Sequence, residues 1–310
     1  MIEAPAKESL KEKVNRLERF IGNTPLLPIQ NLVGNERVKL YAKLEWYQLG
    51  SSVKSRPAFN IFKTAIESDD LVEGKTLLDA SSGNTAIAYA TIGASLGIPV
   101  TICLPENASD ERKKILNALG AKVVYTSKFG STDEAQEKAQ ELVEKHPDEY
   151  FYADQYNNES NWKAHYHGTA QEIIKEVGNE LTHFIAGLGT TGTFTGTGRG
   201  LKDFNENIKL VGLQPDNAMH GLEGWKHLET AKVPGIYDQQ LADEIHEVDS
   251  FEAFEYLKRA AKEEGLMLSP SSAANLMGAI KVAEQIDEGT IVTVFPDNMD
   301  KYSELLKMLF

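Results

Sequence analysis

The sequence predicts an α/β protein built on mostly parallel sheets flanked by helices, on three observations. Short β-branched or aliphatic runs alternate with amphipathic stretches along the chain, and the turns after several of these runs are rich in Gly, Ser and Thr. The composition, 41% hydrophobic and 25% charged over 310 residues, is that of an ordinary globular chain. The runs fall at 39–44, 76–79, 100–104, 122–125, 183–187, 209–213 and 289–295. Between them, helical periodicity covers 58–68, 110–119, 132–145, 162–177, 251–264 and 272–286. Ligands of parallel sheets bind beyond the carboxyl ends of strands, so the turns that follow the runs are where chemistry is sought.

The length allows two lobes, each able to bury a core. The polar turn Lys145-His146-Pro147-Asp148-Glu149 is the expected crossing. It gives a small lobe over 48–150 and a large lobe made of 1–47 plus 151–310.

Thirty-two basic against 46 acidic side chains give a formal charge of -14 with no basic patch, which argues against nucleic acid and anionic membranes as partners. Met1-Ile2-Glu3-Ala4-Pro5 lacks a basic region and an apolar core, so a cytoplasmic protein is expected. The 19 uncharged residues of 86–104 have the length of a membrane span but are broken by Gly93, Gly97 and Pro99. A helix over 85–95 followed by a buried strand over 100–104 accounts for them. Cys103 is the sole cysteine, so no internal disulfide forms, and a buried thiol is expected. The seven histidines, His165-Tyr166-His167 included, lack the spacing of a structural zinc site, so no metal is expected.

Four segments have residue types suited to ligand chemistry. In Gly50-Ser51-Ser52-Val53-Lys54-Ser55-Arg56-Pro57, a lysine near a helix start meets the positive end of the dipole and local burial. Both favour the neutral amine that Schiff-base chemistry requires. A surface lysine in a polar loop reads the same way. Ala80-Ser81-Ser82-Gly83-Asn84-Thr85-Ala86 follows the 76–79 run and opens a helix, offering hydroxyls and free N–H groups to a carboxylate or phosphate, or simply capping the helix. Gly187-Leu188-Gly189-Thr190-Thr191-Gly192-Thr193 follows the 183–187 run. It lacks both the lysine of an ATP-binding P-loop and dinucleotide-fingerprint spacing, which leaves a single phosphate monoester or a structural turn. Leu268-Ser269-Pro270-Ser271-Ser272-Ala273-Ala274 precedes a helix and either caps it or presents a serine to a ligand ring nitrogen.

Taken together and in this order, the segments resemble the fold-type II pyridoxal-5′-phosphate (PLP) enzymes, the cysteine synthase family among them. Further stretches carry the resemblance over most of the chain: Ile21-Gly22-Asn23-Thr24-Pro25-Leu26, Lys43-Leu44-Glu45, Asp110-Glu111-Arg112, Leu119-Gly120-Ala121, Asp154-Gln155-Tyr156-Asn157-Asn158, His165-Tyr166, Glu264-Gly265-Leu266 and Pro296-Asp297. The resemblance implies a two-lobed architecture like that of tryptophan synthase β and a homodimer. It implies that Lys54 holds PLP as a Schiff base and acts as base and then acid at the substrate Cα. Asn84 would meet the 3′-oxygen of the cofactor, Gly189, Thr190, Thr191, Gly192 and Thr193 its phosphate, and Ser271 its pyridine nitrogen. A hydroxyl there leaves the nitrogen largely unprotonated, which suits β-elimination and replacement better than transamination. Ser81, Ser82, Thr85 and Gln155 would hold the substrate carboxylate, with closure of the small lobe shielding the reactive species from water. The implied reaction is O-acetyl-L-serine, or O-phospho-L-serine, plus sulfide giving L-cysteine.

Three departures bear on this. Ser55 stands where the family has Asp, Ala86 where it has Gly, and Ser269-Pro270-Ser271-Ser272-Ala273 where it has Gly-Ile-Ser-Ser-Gly. Lys226, in His220-Gly221-Leu222-Glu223-Gly224-Trp225-Lys226-His227-Leu228, stands where phosphoserine-using relatives carry a basic residue. The same resemblance admits a cystathionine β-synthase, a serine/threonine dehydratase or a non-catalytic scaffold. The 154–158 pattern and the brief C-terminus favour cysteine synthase, with no regulatory domain expected after Phe310. A nicotinamide-dependent dehydrogenase is disfavoured by the missing fingerprint.

Overall fold

The computed structural model describes residues 8–310; Met1–Pro5, read above for a targeting signal, lies outside them. Among the described residues ten strands follow one another as β1 (Leu26–Ile29), β2 (Val38–Leu44), β3 (Thr76–Ala80), β4 (Val100–Pro105), β5 (Lys122–Thr126), β6 (Tyr150–Tyr152), β7 (His183–Gly187), β8 (Lys209–Pro215), β9 (Glu244–Val248) and β10 (Gly289–Phe295). They form two sheets, ordered β1-β2-β10-β7-β8-β9 and β5-β4-β3-β6. The four-stranded sheet is parallel throughout, and the six-stranded one is parallel except for the β1–β2 pair. The α/β class with mostly parallel sheets read from the alternation is the observed fold.

The described chain divides into two compact units. One comprises the residues through Ile21 with Ala58–Ala153, the other Gly22–Pro57 with Asp154–Phe310. In the first, helix Asn84–Leu96 is buried on nearly all sides, as an Ala-rich segment without strong amphipathicity has to be. Its Gly93 is required, because a Cβ there would lie 2.4 Å from Val100 Cγ2. Leu78, Ala80, Cys103, Ala135 and Ala139 belong to a core cluster of the same unit. Cys103 is buried, and burial raises its thiol to about 11, in keeping with the structural role expected. In the second unit, helix Pro270–Gln285 is buried along most of its length, and the core clusters contain residues of β2, β7, β8 and β10. None of the helices is long and apolar enough to cross a membrane, among the described residues.

The structure differs from the periodicity in instructive places. The helix expected from residue 58 begins at Ser55. Pro57 sits in its first turn, where a residue without an N–H leaves no hydrogen bond unmade. The stretch 162–177 is not one helix but Glu159–Ala164, a π-turn over His165–Thr169, and Ala170–Val177. A π-turn inserts a residue without altering the apolar pattern enough to show. Helix Leu10–Glu18, missed by periodicity, is announced by a Ser9/Glu12 capping box. Strand β9, largely exposed, lacks the alternation that reveals half-buried strands.

Candidate active site

In the second unit Lys54 stands immediately before helix Ser55–Glu67, in a turn tied down by Ser55 N–H donating to Ser52 O (3.1 Å) and Val53 N–H to Pro296 O (2.8 Å). Its amine has no hydrogen-bond or ion-pair partner among the described residues, while burial pulls it down to about 8, opposed by the charge of Asp297. A buried amine that is half neutral near pH 8 is a nucleophile in waiting. Two residues on, Arg56 is fixed in a buried ion network. Its Nε and Nη2 donate to Glu45 at 2.6 and 2.9 Å, and Nη1 and Nη2 to Glu172 at 2.6 and 2.8 Å. Lys43, fully buried, closes the network on Glu172 at 2.9 Å. The start of the helix that follows Lys54 is thereby anchored on two sides.

The Gly187–Thr193 turn follows β7. Gly187 N–H donates to Asn275 Oδ1 (2.8 Å), and Asn275 Nδ2 donates to Val294 O (2.6 Å), so one buried asparagine registers the turn against β10. A Cβ on Gly187 would lie 2.1 Å from the Trp225 ring, and one on Gly189 would lie 2.0 Å from Gly224 O. Both glycines therefore let the 220–226 segment pack down on the turn, where Lys226 N–H donates to Leu188 O at 2.8 Å. Thr191 is left-handed (φ 67°, ψ -10°), a conformation that costs a β-branched residue about 1–3 kcal/mol. It precedes helix Gly192–Phe204, whose first amides receive no side-chain cap. Its own Oγ1 is buried with no partner among the described residues. Strain, uncapped amides and an unsatisfied hydroxyl at one point form a donor set that fits a phosphate monoester.

The surroundings hold this set in place. Asn161 Nδ2 donates to Gln155 O (2.7 Å) and Thr190 Oγ1 (3.2 Å), and a Cβ on Gly192 would strike Asn161 Oδ1 at 2.0 Å. His165, in the π-turn, lies 3.3 Å from Thr193 Oγ1 and 2.9 Å from Thr169 Oγ1. Burial, with the charges of Arg56 and Lys54, holds its imidazole well below the ordinary value, so it is neutral at neutral pH. At the start of helix Pro270–Gln285 the two candidate serines part company. Ser272 Oγ is spent on Asp297 O (2.6 Å) and Ser269 Oγ (3.1 Å), whereas Ser271 Oγ meets, among the described residues, only Ser269 Oγ (3.2 Å) and keeps hydrogen-bonding capacity for a ligand.

In the first unit, Ser81, Ser82, Asn84 and Thr85 occupy the turn after β3 and the opening of helix Asn84–Leu96. Gly83 N–H donates to Ser81 Oγ (3.2 Å), and this helix also starts without a side-chain cap. Its first amides and the hydroxyls of the turn are donors of the kind an anion takes. The second unit thus gathers Lys54, the Gly189–Thr193 turn, Ser271, Gln155 and Lys226, while the Ser81–Thr85 turn belongs to the first. Asn161 and Asn275 escaped sequence reasoning, because a single asparagine in a helical stretch carries no local mark of what it bonds. His165 and Asp297 were visible only as parts of the family pattern.

The family model of the pyridoxal-phosphate dependent enzymes matches residues 17–297. A cysteine synthase of Aquifex aeolicus (strain VF5) is 44% identical over 291 residues, covering 92% of this chain and 89% of that protein. Among solved structures, a cysteine synthase of Entamoeba histolytica superposes with a TM-score of 0.88 at 30% identity, over 100% of this chain and 93% of that one. An O-acetylserine-dependent cystathionine β-synthase of Helicobacter pylori does so at 0.86 and 30%, over 98% of each. With a family match over most of its length, a close curated relative and a donor set suited to the cofactor phosphate beside a buried, unpaired lysine, this chain belongs to the pyridoxal-phosphate dependent enzymes, in their cysteine synthase branch.

Proposed function

We propose that the enzyme makes L-cysteine and acetate from O-acetyl-L-serine and sulfide by PLP-dependent β-replacement. The observation that carries the reading is Lys54, a buried amine without a hydrogen-bond or ion-pair partner among the described residues, in the same unit as a strained, uncapped Thr191 turn. The bound cofactor supplies the electron sink that makes the substrate Cα acidic. Lys54 Nζ takes the Cα proton, the Cβ–O bond breaks with loss of acetate, sulfide forms the Cβ–S bond, and Lys54 Nζ returns the proton. Gly189, Thr190, Thr191, Gly192 and Thr193 hold the phosphate, Ser271 the pyridine nitrogen and Asn84 the 3′-oxygen. Ser81, Ser82, Thr85 and Gln155 are assigned to the substrate carboxylate, and the unit that carries the three hydroxyls is the substrate lobe.

One observation favours O-phospho-L-serine as a second donor. Lys226 is drawn to the phosphate-binding turn by its backbone bond to Leu188 O and stands 5.0 Å over the Tyr156 ring, next to Gln155. Replacement by alanine should raise KM for O-phosphoserine and leave that for O-acetylserine unchanged; unaltered phosphoserine kinetics refutes the assignment. A cytoplasmic homodimer belongs to the same proposal on the family resemblance, and sedimentation measures the assembly.

The test of the main reading is visible absorbance of the purified enzyme with O-acetylserine and O-phosphoserine added separately, followed by product analysis with sulfide and with homocysteine. A cofactor band that changes with one donor and yields cysteine supports it. No band after PLP is supplied overturns it, and cystathionine as the main product moves the enzyme to the neighbouring activity.

A further inference from the structure

We propose that Asp297, clamped by Tyr302 and Ser272, is a positioning residue for Lys54, so that one turn beyond β10 sets both the place and the electrostatic surroundings of the reactive amine. This rests on the reading of Lys54 as the cofactor-bearing lysine. The turn and the lysine loop are joined twice: Val53 N–H donates to Pro296 O at 2.8 Å, and Lys301 Nζ donates to Ser51 O at 2.8 Å. The lysine loop therefore cannot shift without carrying the 296–301 turn with it.

Asp297 is fully buried within that turn. Its Oδ2 accepts from the Tyr302 hydroxyl at 2.8 Å, with Lys301 Nζ 3.9 Å away. Its backbone is held as firmly, the carbonyl by Ser272 Oγ at 2.6 Å and the N–H by the same oxygen at 3.4 Å. Ser272 neighbours Ser271, so the hydroxyl assigned to the ring nitrogen and the amine are referenced to one short segment. A carboxylate held in this way is costly to bury unless it serves something.

The charges around Lys54 show what it serves. Arg56 carries positive charge close by, and His165, which feels both cations, is neutral. Asp297 is the carboxylate that acts on Lys54 against burial. Burial lowers the basicity of the amine that takes the Cα proton, and the carboxylate opposes that loss.

The test uses the full chain, stripped of PLP, in Asp297→Asn, which keeps shape and removes charge, and in Tyr302→Phe, which removes only the hydroxyl. Acetylation of Lys54 is followed against pH by mass spectrometry, and each protein is then reloaded with PLP to show by its visible band that it is folded. Asp297→Asn should lower the pH midpoint of Lys54 acetylation by about one unit, a tenfold change in its ionisation equilibrium. Tyr302→Phe should lower it by a smaller amount, since it frees Asp297 Oδ2 from the hydroxyl that holds it in place while leaving the carboxylate present. Midpoints equal to wild type in variants that reload overturn the proposal. If Asp297→Asn does not reload, Tyr302→Phe decides alone, an unchanged midpoint again refuting it. Lys54→Ala separates the two readings. A cofactor band retained there sinks the assignment of Lys54 itself, whereas a lost band with unmoved midpoints sinks only the role of Asp297.

Discussion

Replacing Lys54 by methionine should stabilise the cofactor-free protein at neutral pH while abolishing activity. In the folded chain the amine is brought from 10.5 to about 8, chiefly by burial. At pH 7 the lysine is charged in both folded and unfolded chains, and the folded chain bears the cost of an unpaired, desolvated ammonium. The full shift corresponds to about 3 kcal/mol, and because part of the side chain meets solvent, about 2 kcal/mol is the working figure. The sign follows from the depressed value. The cost is fully present below pH 8, fades between about 8 and 10.5 as the unfolded amine also loses its proton, and is absent above. Methionine has a similar stem and no charge, so its advantage at pH 7 should shrink to under about 1 kcal/mol at pH 10. The assay is denaturant unfolding of both proteins at the two pH values, followed by tryptophan fluorescence. Trp46, Trp162 and Trp225 all lie in the second unit, so the signal reports on the unit that holds Lys54. An advantage that is absent, or the same at both pH values, refutes the picture of a buried, unpaired amine.

Three further outcomes follow from the geometry. Gly189→Ala puts a Cβ 2.0 Å from Gly224 O, and displacing that backbone should cost about 1–3 kcal/mol, read as a PLP dissociation constant raised about 5- to 150-fold by fluorescence titration. Ser272→Ala, which removes the bridge to Asp297, should lower the thermal midpoint more than Ser271→Ala, whereas Ser271→Ala should change the absorbance of bound cofactor more; differential scanning fluorimetry and absorbance decide between them. Cys103, buried and raised to about 11, should react with a thiol reagent in the native protein far more slowly than after denaturation, and rapid native labelling contradicts its placement.

The candidate site was legible in unequal parts. The turns after the 76–79 and 183–187 runs stood out because strand, small-residue turn and helix leave three consecutive marks in sequence, and both open helices without side-chain caps. Lys54 taken alone reads equally as a surface lysine, since nothing in 50–57 says whether water reaches its amine. The family pattern singled it out, and folding buried it. The choice between Ser271 and Ser272 was likewise open, because adjacent hydroxyls in one turn are chemically identical until a partner takes one of them. Asp297 O took Ser272.

Hydrophobic period and turn chemistry are local properties, so the sequence by itself determined the α/β class, most strands and helices to within a few residues, and the turns that bear donors. It also carried the family pattern that names the cofactor. Tertiary structure alone decided what those residues meet. It placed the Arg56–Glu45–Glu172–Lys43 network behind the lysine, the Asn275 tie from Gly187 to β10, and the left-handed Thr191. It also brought Asp297, 243 positions after Lys54, to the loop that carries the amine. Such contacts join segments far apart in the chain, and burial and hydrogen-bond partners exist only once the sheets have brought those segments together.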